Sequence, residues 1–467
     1  MRIGAPVSAH PLSVHDDVLS FVGRTPLLKV TQLDTGPCEL YLKLESKNPG
    51  GSIKDRIGLA MIRAAEEAGA LGGHQRRLVE ATSGNTGLSL ALVAAQRGYH
   101  LTLVIPDKMS QEKIFHLKAL GAEIVITRSD VGKGHPEYYQ DIAERIAREQ
   151  GHFYVNQFDN PANPRAHEQT TGPEIAEQLR GEIGAMVCGV GSGGTITGLS
   201  RYFARAVPSC EMVLADPQGS VLADYVKTGK IGAAGSWLVE GIGEDFLPGI
   251  CDLSRVKHAY SIPDAESLST ARELLRKVGV LAGSSTGTLV AAALRYCREQ
   301  SSPKKVCTLV CDSGNKYLSK MFNDFWMADQ GLLERPKTGD LREVISHRFA
   351  DRTVFTVAPD DALLIAYGRM KLYDVSQLPV MEAGKVVGFV DESDLLLATV
   401  DAPAELRHKK VRDVMATRVR TVPVSTPIRE LLPLFDAGLT PIVVDGDEFL
   451  GVVTRIDVLN WLRRKLS

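Results

Sequence analysis

Apolar and polar positions along the chain fall into two regimes. Over residues 25–328 short apolar runs alternate with longer amphipathic stretches. The runs at 101–106 (LTLVIP), 123–127 (EIVIT), 185–190 (AMVCGV) and 212–215 (MVLA) predict buried strands, and stretches such as 111–120 and 173–180 predict helices between them. Strands covered on both faces and joined through helices form a mainly parallel sheet, so this portion predicts an α/β domain. The pattern stops at 325–327 (FWM). Residues 328–340 (ADQGLLERPKTGD) are polar and broken by Gly and Pro, as a linker is. The expected organisation is a large domain over 1–327, a linker over 328–340, and small domains over 341–400 and 408–467.

Beyond the linker the chain repeats itself. Thr356-Val357-Ala358-Pro359 and Thr421-Val422-Pro423-Val424 each precede a helical stretch. Leu378-Pro379-Val380 then leads to Gly388 and Asp394, as Thr440-Pro441-Ile442 leads to Gly451 and Asp457, with spacings that differ by one residue. Pro, Gly and Asp matched in one order separate a true repeat from two amphipathic halves alike by chance. Each copy predicts strand, turn, strand and helix, and the two copies share a core.

Charge narrows the function. With 54 basic and 56 acidic residues the formal net charge is −2, which argues against nucleic acid or a membrane surface as partner. No apolar run is long enough to span a bilayer, and residues 1–20 lack the pattern of a signal peptide. The 7 cysteines show no CxxC pair or His-rich spacing, so no metal site is expected. Cys307 and Cys311 lie on a strand-like run, where buried thiols are expected. A reducing cytoplasm fits this usage.

Three segments carry candidate chemistry. In the first, Lys54 follows the turn Asn48-Pro49-Gly50-Gly51-Ser52-Ile53 and opens a helix whose apolar face includes Ile57, Met61 and Ile62. A lysine there, partly desolvated, can hold a neutral, nucleophilic amine, although the same position suits a solvated charge. In the second, Gly191-Ser192-Gly193-Gly194-Thr195 sits between a predicted strand and a helix starting near Ile196. Small residues there let backbone amides approach a phosphate, with the helix dipole in support. It is neither a Walker loop nor a GxGxxG fingerprint. In the third, Thr82-Ser83-Gly84-Asn85-Thr86-Gly87 follows the strand-like Leu78-Val79 and makes a carboxylate-sized cup, or simply an N-cap cluster.

Taken in order, SIKDR, TSGNTG and GSGGT resemble the fold-type-II pyridoxal-phosphate family of cysteine synthases and cystathionine β-synthases, whose two subdomains hold mainly parallel sheets. The resemblance covers nearly all of residues 23–328, including Gly23-Arg24-Thr25-Pro26-Leu27 and Asn163-Pro164-Arg165-Ala166-His167. It implies that Lys54 carries pyridoxal phosphate as a Schiff base and that Asn85 bonds the pyridine hydroxyl. Gly191, Ser192, Gly193, Gly194 and Thr195 are implied to hold the phosphate, with Ser285 at the pyridine nitrogen. A serine there leaves that nitrogen largely unprotonated, which suits β-elimination better than transamination. By the same resemblance Thr82, Ser83, Thr86 and Gln157 grip the amino-acid carboxylate.

The loop Val239-Glu240-Gly241-Ile242-Gly243-Glu244-Asp245-Phe246 resembles the β-synthase version of the active-site loop, and 311–317 (CDSGNKY) its C-terminal motif. Gly241 and Glu244 are the candidate contacts to the second substrate. Glu244 replaces the tyrosine of animal and fungal β-synthases, which leaves the homocysteine contacts open. About two dozen residues precede the Gly23 motif and include no cysteine to ligate iron, so no haem is expected.

The C-terminal repeats resemble paired CBS domains, a Bateman module. That resemblance implies an aspartate bonding an adenosine ribose, assisted by a threonine three residues earlier. Thr454 and Asp457 fit, whereas Asp391 precedes Asp394 in the first repeat, and a second carboxylate repels nucleotide phosphates. S-adenosylmethionine or an adenine nucleotide is therefore expected chiefly at Thr454 and Asp457; a module that only aids dimer assembly is the alternative.

The implied activity is a pyridoxal-phosphate carbon–oxygen lyase of transsulfuration and cysteine biosynthesis. It replaces the β-substituent of serine, or of cysteine with release of hydrogen sulfide, by homocysteine to give cystathionine. Its partners are small amino acids and further copies of itself, as a dimer or tetramer. The rivals are an O-acetylserine sulfhydrylase with a regulatory tail and a nucleotide-sensing pseudoenzyme. Intact Lys54, Asn85 and Ser285 argue against the second.

Overall fold

The computed structural model describes residues 14–82, 84–107, 109–132, 134–333, 338–346, 349 and 354–466, and it divides into two compact units, Met1–Asn323 and Asp324–Ser467. Ser83 lies outside the described residues. In the first unit the strands are β1 (Leu27–Val30), β2 (Glu39–Lys43), β3 (Arg77–Ala81), β4 (His100–Pro106), β5 (Glu123–Thr127), β6 (Phe153–Tyr154), β7 (Ala185–Cys188), β8 (Glu211–Pro217), β9 (Val256–Ile262) and β10 (Lys305–Leu309). They form two sheets, ordered β5-β4-β3-β6 and β1-β2-β10-β7-β8-β9. All their pairings are parallel except β1 with β2.

The apolar runs account for these strands. The run at 123–127 is β5, those at 101–106 and 212–215 lie within β4 and β8, and that at 185–190 ends early at Cys188. β7 is buried along its whole length, as a strand covered on both faces must be. The expected helix at 111–120 is Gln111–Ala119; that at 173–180 is Gly172–Gln178, entered through a π-helical turn at His167–Thr171. Leu289, fully buried, packs where any side chain on Gly189 would collide with it, 3.0 Å from the Cβ position. Cutting Leu289 to Ala would cost about 2–5 kcal/mol. The loops after β3, β7 and β10 leave from strand carboxyl ends, where open α/β sheets hold ligands.

All seven cysteines are free thiols, and Cys307 is fully buried. Among the described residues no helix is long and apolar enough to cross a membrane, and no three His, Cys, Asp or Glu side chains cluster to hold a metal ion.

In the second unit the strands are β11 (Gln377–Glu382), β12 (Lys385–Asp391), β13 (Arg420–Pro423), β14 (Pro441–Asp445) and β15 (Glu448–Val452). β11–β12 and β14–β15 are antiparallel hairpins. Both shift register in the same place, just after a valine that faces a glycine: Val380 opposite Gly388, Val443 opposite Gly451. β13 runs parallel to β14, whereas its first-repeat counterpart is reduced to the bridge Val357–Val380.

The cores are exchanged between the repeats. Leu341, Val344 and Ile345 pack among Val422, Leu431, Val443 and Val453 of the second repeat, and Leu341 N donates to Val424 O at 3.0 Å. Conversely, Val411, Val414 and Met415 pack with Val357, Leu378, Val380 and Val390 of the first. Ala416 and Phe389 exchange backbone hydrogen bonds of 2.8 and 2.9 Å. The segment leading into each repeat is thus part of the other's core.

Candidate active site

Lys54 is the first residue of the helix Lys54–Glu67, and its N–H donates to Ser52 Oγ at 3.2 Å. The turn before it is braced from two sides. Gly50 N donates to Asp55 Oδ2 at 2.7 Å, and Ile53 N donates to Cys311 O at 2.8 Å. Desolvation lowers the Lys54 ammonium pKa from its usual value, against the opposing pull of Cys311, Asp312 and Glu244. A helix N-terminus acts in the same direction as desolvation. Two residues on, Arg56 anchors the helix. Its guanidinium bonds Glu45 and Glu174 at 2.7 Å each, with Arg56 2% and Glu45 0% exposed at the side chain. Burial alone would raise Glu174, yet Arg56 and Lys43 hold it down at about 2. Lys43 also bonds Thr25 O at 2.7 Å, which ties the GRTPL segment into the same network.

Asn85 begins the helix Asn85–Arg97 after Gly84, whose φ of +130° suits only glycine. A Cβ at Gly84 would also strike Lys113 Cδ at 2.7 Å. Thr82, at the carboxyl end of β3, accepts from Gly84 N at 3.1 Å. Thr86 Oγ1 donates to Gln157 Oε1 at 2.6 Å, and Gln157 Nε2 donates to Ala81 O at 3.0 Å. The structure therefore brings Thr82, Thr86 and Gln157 together.

The residues after β7 form a glycine-rich turn that packs closely against its neighbours. The helix starts at Gly194, two residues earlier than the sequence pattern indicates, because Gly193 turns the chain at φ +86°. A Cβ at Gly191 would meet Gly241 O at 2.6 Å, one at Gly193 the Cys251 Cβ at 2.5 Å, and one at Gly194 the Asn163 Oδ1 at 1.9 Å. Asn163 Nδ2 donates to Ser192 Oγ at 2.9 Å, and His167 Nε2 lies 3.2 Å from Thr195 Oγ1. Burial, then Arg56 and Lys54, push the His167 pKa well below its usual value, so the ring is neutral.

Ser285 is the second residue of the buried helix Ser284–Arg298 and hydrogen-bonds the Cys311 thiol, whose pKa burial pushes up to about 12. Glu240 N donates to Ser284 Oγ at 3.0 Å, which fixes the start of the 239–246 loop. Further along that loop, Gly241 has φ +87°, and Glu244 N donates to Ser220 Oγ at 3.1 Å. The Glu244 carboxylate lies near enough to raise the pKa values of Lys54, Tyr138 and Tyr139. Glu244 and Lys54 thus lie within electrostatic reach of one another. Sequence reasoning assigned no role to Lys113, which pairs Glu240 of this loop, to Tyr138 and Tyr139, on which Glu244 acts, or to Asp312 and Lys316, which bond Asn85.

In the second unit Thr454 and Asp457 also meet. Thr454 N and Oγ1 donate to Asp457 Oδ2 at 2.7 and 2.6 Å, at the start of the helix Arg455–Leu466. Asp391 and Asp394, the pair expected to repel nucleotide phosphates, form a reciprocal capping box on the helix Glu392–Thr399. Each backbone N–H donates to the other's carboxylate at 2.9 Å, so both side chains accept peptide hydrogens.

Residues 18–312 match the family of pyridoxal-phosphate dependent enzymes, and residues 342–401 and 411–464 each match the CBS domain. Cystathionine β-synthase of Dictyostelium discoideum is 36% identical over 465 residues, covering 97% of this chain and 93% of that protein. Cysteine synthase A of Salmonella typhi is 40% identical over 310 residues, covering 66% of this chain and 94% of that protein. Among solved structures, the O-acetylserine dependent cystathionine β-synthase from Helicobacter pylori superposes with a TM-score of 0.61 at 33% identity, over 66% of this chain and 99% of that one. With the likeness to the Dictyostelium enzyme running through both units, the chain belongs to the pyridoxal-phosphate-dependent enzyme family, among the cystathionine β-synthases that carry a pair of CBS domains.

Proposed function

We propose that this chain replaces the β-hydroxyl of serine by the sulfur of homocysteine, giving cystathionine and water, and that cysteine as donor releases hydrogen sulfide instead. The observation that carries the proposal is the desolvated Lys54 amine, within electrostatic reach of Glu244, whose loop packs Gly241 O against Gly191 at the start of the glycine-rich turn.

The residues fit pyridoxal phosphate: glycines at 191, 193 and 194 put no side chain beside the backbone N–H groups, and a helix N-terminus follows, as phosphate requires. When bound, the cofactor supplies the electron sink that lets the donor shed its β-substituent. Gly191, Ser192, Gly193, Gly194 and Thr195 hold the phosphate, Asn85 meets the ring oxygen and Ser285 the ring nitrogen. Thr82, Thr86 and Gln157 grip the donor carboxylate together with Ser83. Lys54 Nζ carries the cofactor, takes the proton from the donor α-carbon and moves it to the departing group. Gly241 and Glu244 receive homocysteine, whose ammonium the Glu244 carboxylate pairs.

The second unit is regulatory in this scheme, with an adenosyl ligand at Thr454 and Asp457. Seven free thiols suit a reducing cytoplasm, where we place the enzyme as a homo-oligomer. The name of the Helicobacter structure makes O-acetylserine the rival donor. Mass spectrometry of products from serine, cysteine or O-acetylserine against homocysteine or sulfide tests the proposal. Cystathionine from serine supports it; cysteine formed from O-acetylserine and sulfide alone replaces it with a cysteine synthase.

A further inference from the structure

The segment 311–317 has no task in the scheme above, yet it holds Asn85 from both sides. Asp312 is fully buried, and its Oδ2 accepts from Asn85 Nδ2 at 2.8 Å and from the Tyr317 hydroxyl at 2.7 Å. Lys316 Nζ donates to Asn85 Oδ1 at 2.9 Å, and to Gly50 O and Gly51 O at 3.1 and 3.2 Å. A carboxylate only accepts and an ammonium only donates. The Asn85 amide therefore has a single orientation, nitrogen toward Asp312 and oxygen toward Lys316. Flipping it would set donor against donor and acceptor against acceptor, at the cost of two charge-assisted bonds. One Nδ2 hydrogen remains for a third partner, and Lys316 adds positive potential at the same point.

The segment also joins the other two sides of the site. Cys311 O accepts from Ile53 N at 2.8 Å, Cys311 N donates to Thr286 Oγ1 at 3.0 Å, and Gly283 N donates to Asp312 O at 3.2 Å. The lysine turn, Asn85 and the start of the Ser285 helix are thus fixed relative to one another.

We propose that Asp312 and Lys316 are positioning residues that clamp the Asn85 amide as a hydrogen-bond donor, so that the group it meets is an acceptor bearing negative charge. This rests on Asn85 facing the cofactor ring, and the acceptor is then the ionised ring oxygen. The clamp favours the ionised ring oxygen over the protonated hydroxyl, because the charged oxygen is the stronger acceptor for the Asn85 amide hydrogen and for the Lys316 potential.

The test is the absorption spectrum of the holoenzyme without substrate, because an ionised ring oxygen absorbs at longer wavelength than a protonated one. Lys316→Met and Asp312→Asn should each lower the ratio of long- to short-wavelength absorbance about tenfold, the effect of losing one charge-assisted bond. Cofactor content should stay at one per chain, and Lys316→Arg should restore the ratio. An unchanged ratio in both variants, with wild-type melting temperatures, overturns the clamp. Should Asp312→Asn fail to fold, Lys316→Met alone decides. Asn85→Ala separates the two claims. If it changes the ratio and the clamp variants do not, only the clamp falls; if it also leaves the ratio unchanged, Asn85 does not face the ring.

Discussion

Lys113 Nζ lies 2.7 Å from Glu240 Oε2 and joins the helix Gln111–Ala119 to the loop that carries Glu244. The other oxygen of Glu240 takes Lys320 at 2.7 Å. Lys113 is 1% and Glu240 10% exposed, so the pair is a buried latch between helix and loop, with the Lys113 ammonium also 4.5 Å from the Tyr317 ring.

Breaking the latch from one side leaves a buried ammonium without its counter-charge. Glu240→Gln should lower unfolding free energy by about 3 kcal/mol, and Lys113→Met in the same chain should recover part of the loss. Urea unfolding of the single and double variants measures it. A loss under about 1 kcal/mol would place the pair with ordinary surface bridges.

Lys54→Ala should fold, bind pyridoxal phosphate through the glycine-rich turn and lose the visible colour of the attached cofactor. Turnover should fall by about 10³-fold or more, since one group both carries and moves the proton. Borohydride reduction followed by peptide mapping checks the attachment point. A reducible link at another lysine with wild-type occupancy would remove Lys54 from its role.

Glu244→Gln should raise the Michaelis constant for homocysteine about fivefold, the value of one partly exposed ion pair, and leave that for serine nearly unchanged. Steady-state kinetics with each substrate varied in turn is the measurement. Equal effects on both substrates would assign Glu244 to general loop structure.

Glu80 sits behind the carboxylate cup, fully buried, accepting from Gln157 N at 3.3 Å. Burial pushes its carboxyl up to about 8, against hydrogen bonds from Gln157, Asn156 and Ala81. A raised carboxyl binds its proton more tightly in the folded chain, so stability is lost as pH rises from the ordinary carboxyl range through about 8. Relative to wild type, Glu80→Gln should gain roughly 2–3 kcal/mol between about pH 6 and 8.5. A difference that stays flat over that interval would contradict a neutral buried acid.

Truncation after Asn323 should leave a soluble enzyme that still turns over serine and homocysteine, because every side chain placed at the site precedes that point. On the full chain, calorimetry with S-adenosylmethionine, AMP and ATP should give heat that Thr454→Val reduces. Silence from all three, with unchanged melting, would leave Thr454 and Asp457 as helix caps alone.

Much of the site was legible because its signals are local. Lys54, Asn85 and the 191–195 loop each sit beside glycines at a strand or helix boundary, and such turns are written in a few adjacent residues. Asp312 and Lys316 were not legible as a clamp. Their bonds to Asn85 close over 227 and 231 residues, and no periodicity carries that pairing. The reciprocal cap of Asp391 and Asp394 was hidden for a related reason, because the backbone geometry that turns both toward peptide N–H groups is a property of the folded helix start. The repeats were visible in their matched Pro, Gly and Asp residues, but the exchange of leading segments was not, because each copy looks complete by itself.

That exchange sets when each core can close during synthesis. Leu341 leaves the ribosome early, yet its partner Val458 follows 117 residues later (458 − 341), a wait of about 12 s at ~10 residues per second. The first repeat likewise stays open until Val411 emerges. Neither half can close alone, so a nascent chain stopped between the repeats presents two unfinished apolar surfaces, a substrate for chaperones rather than a smaller working module.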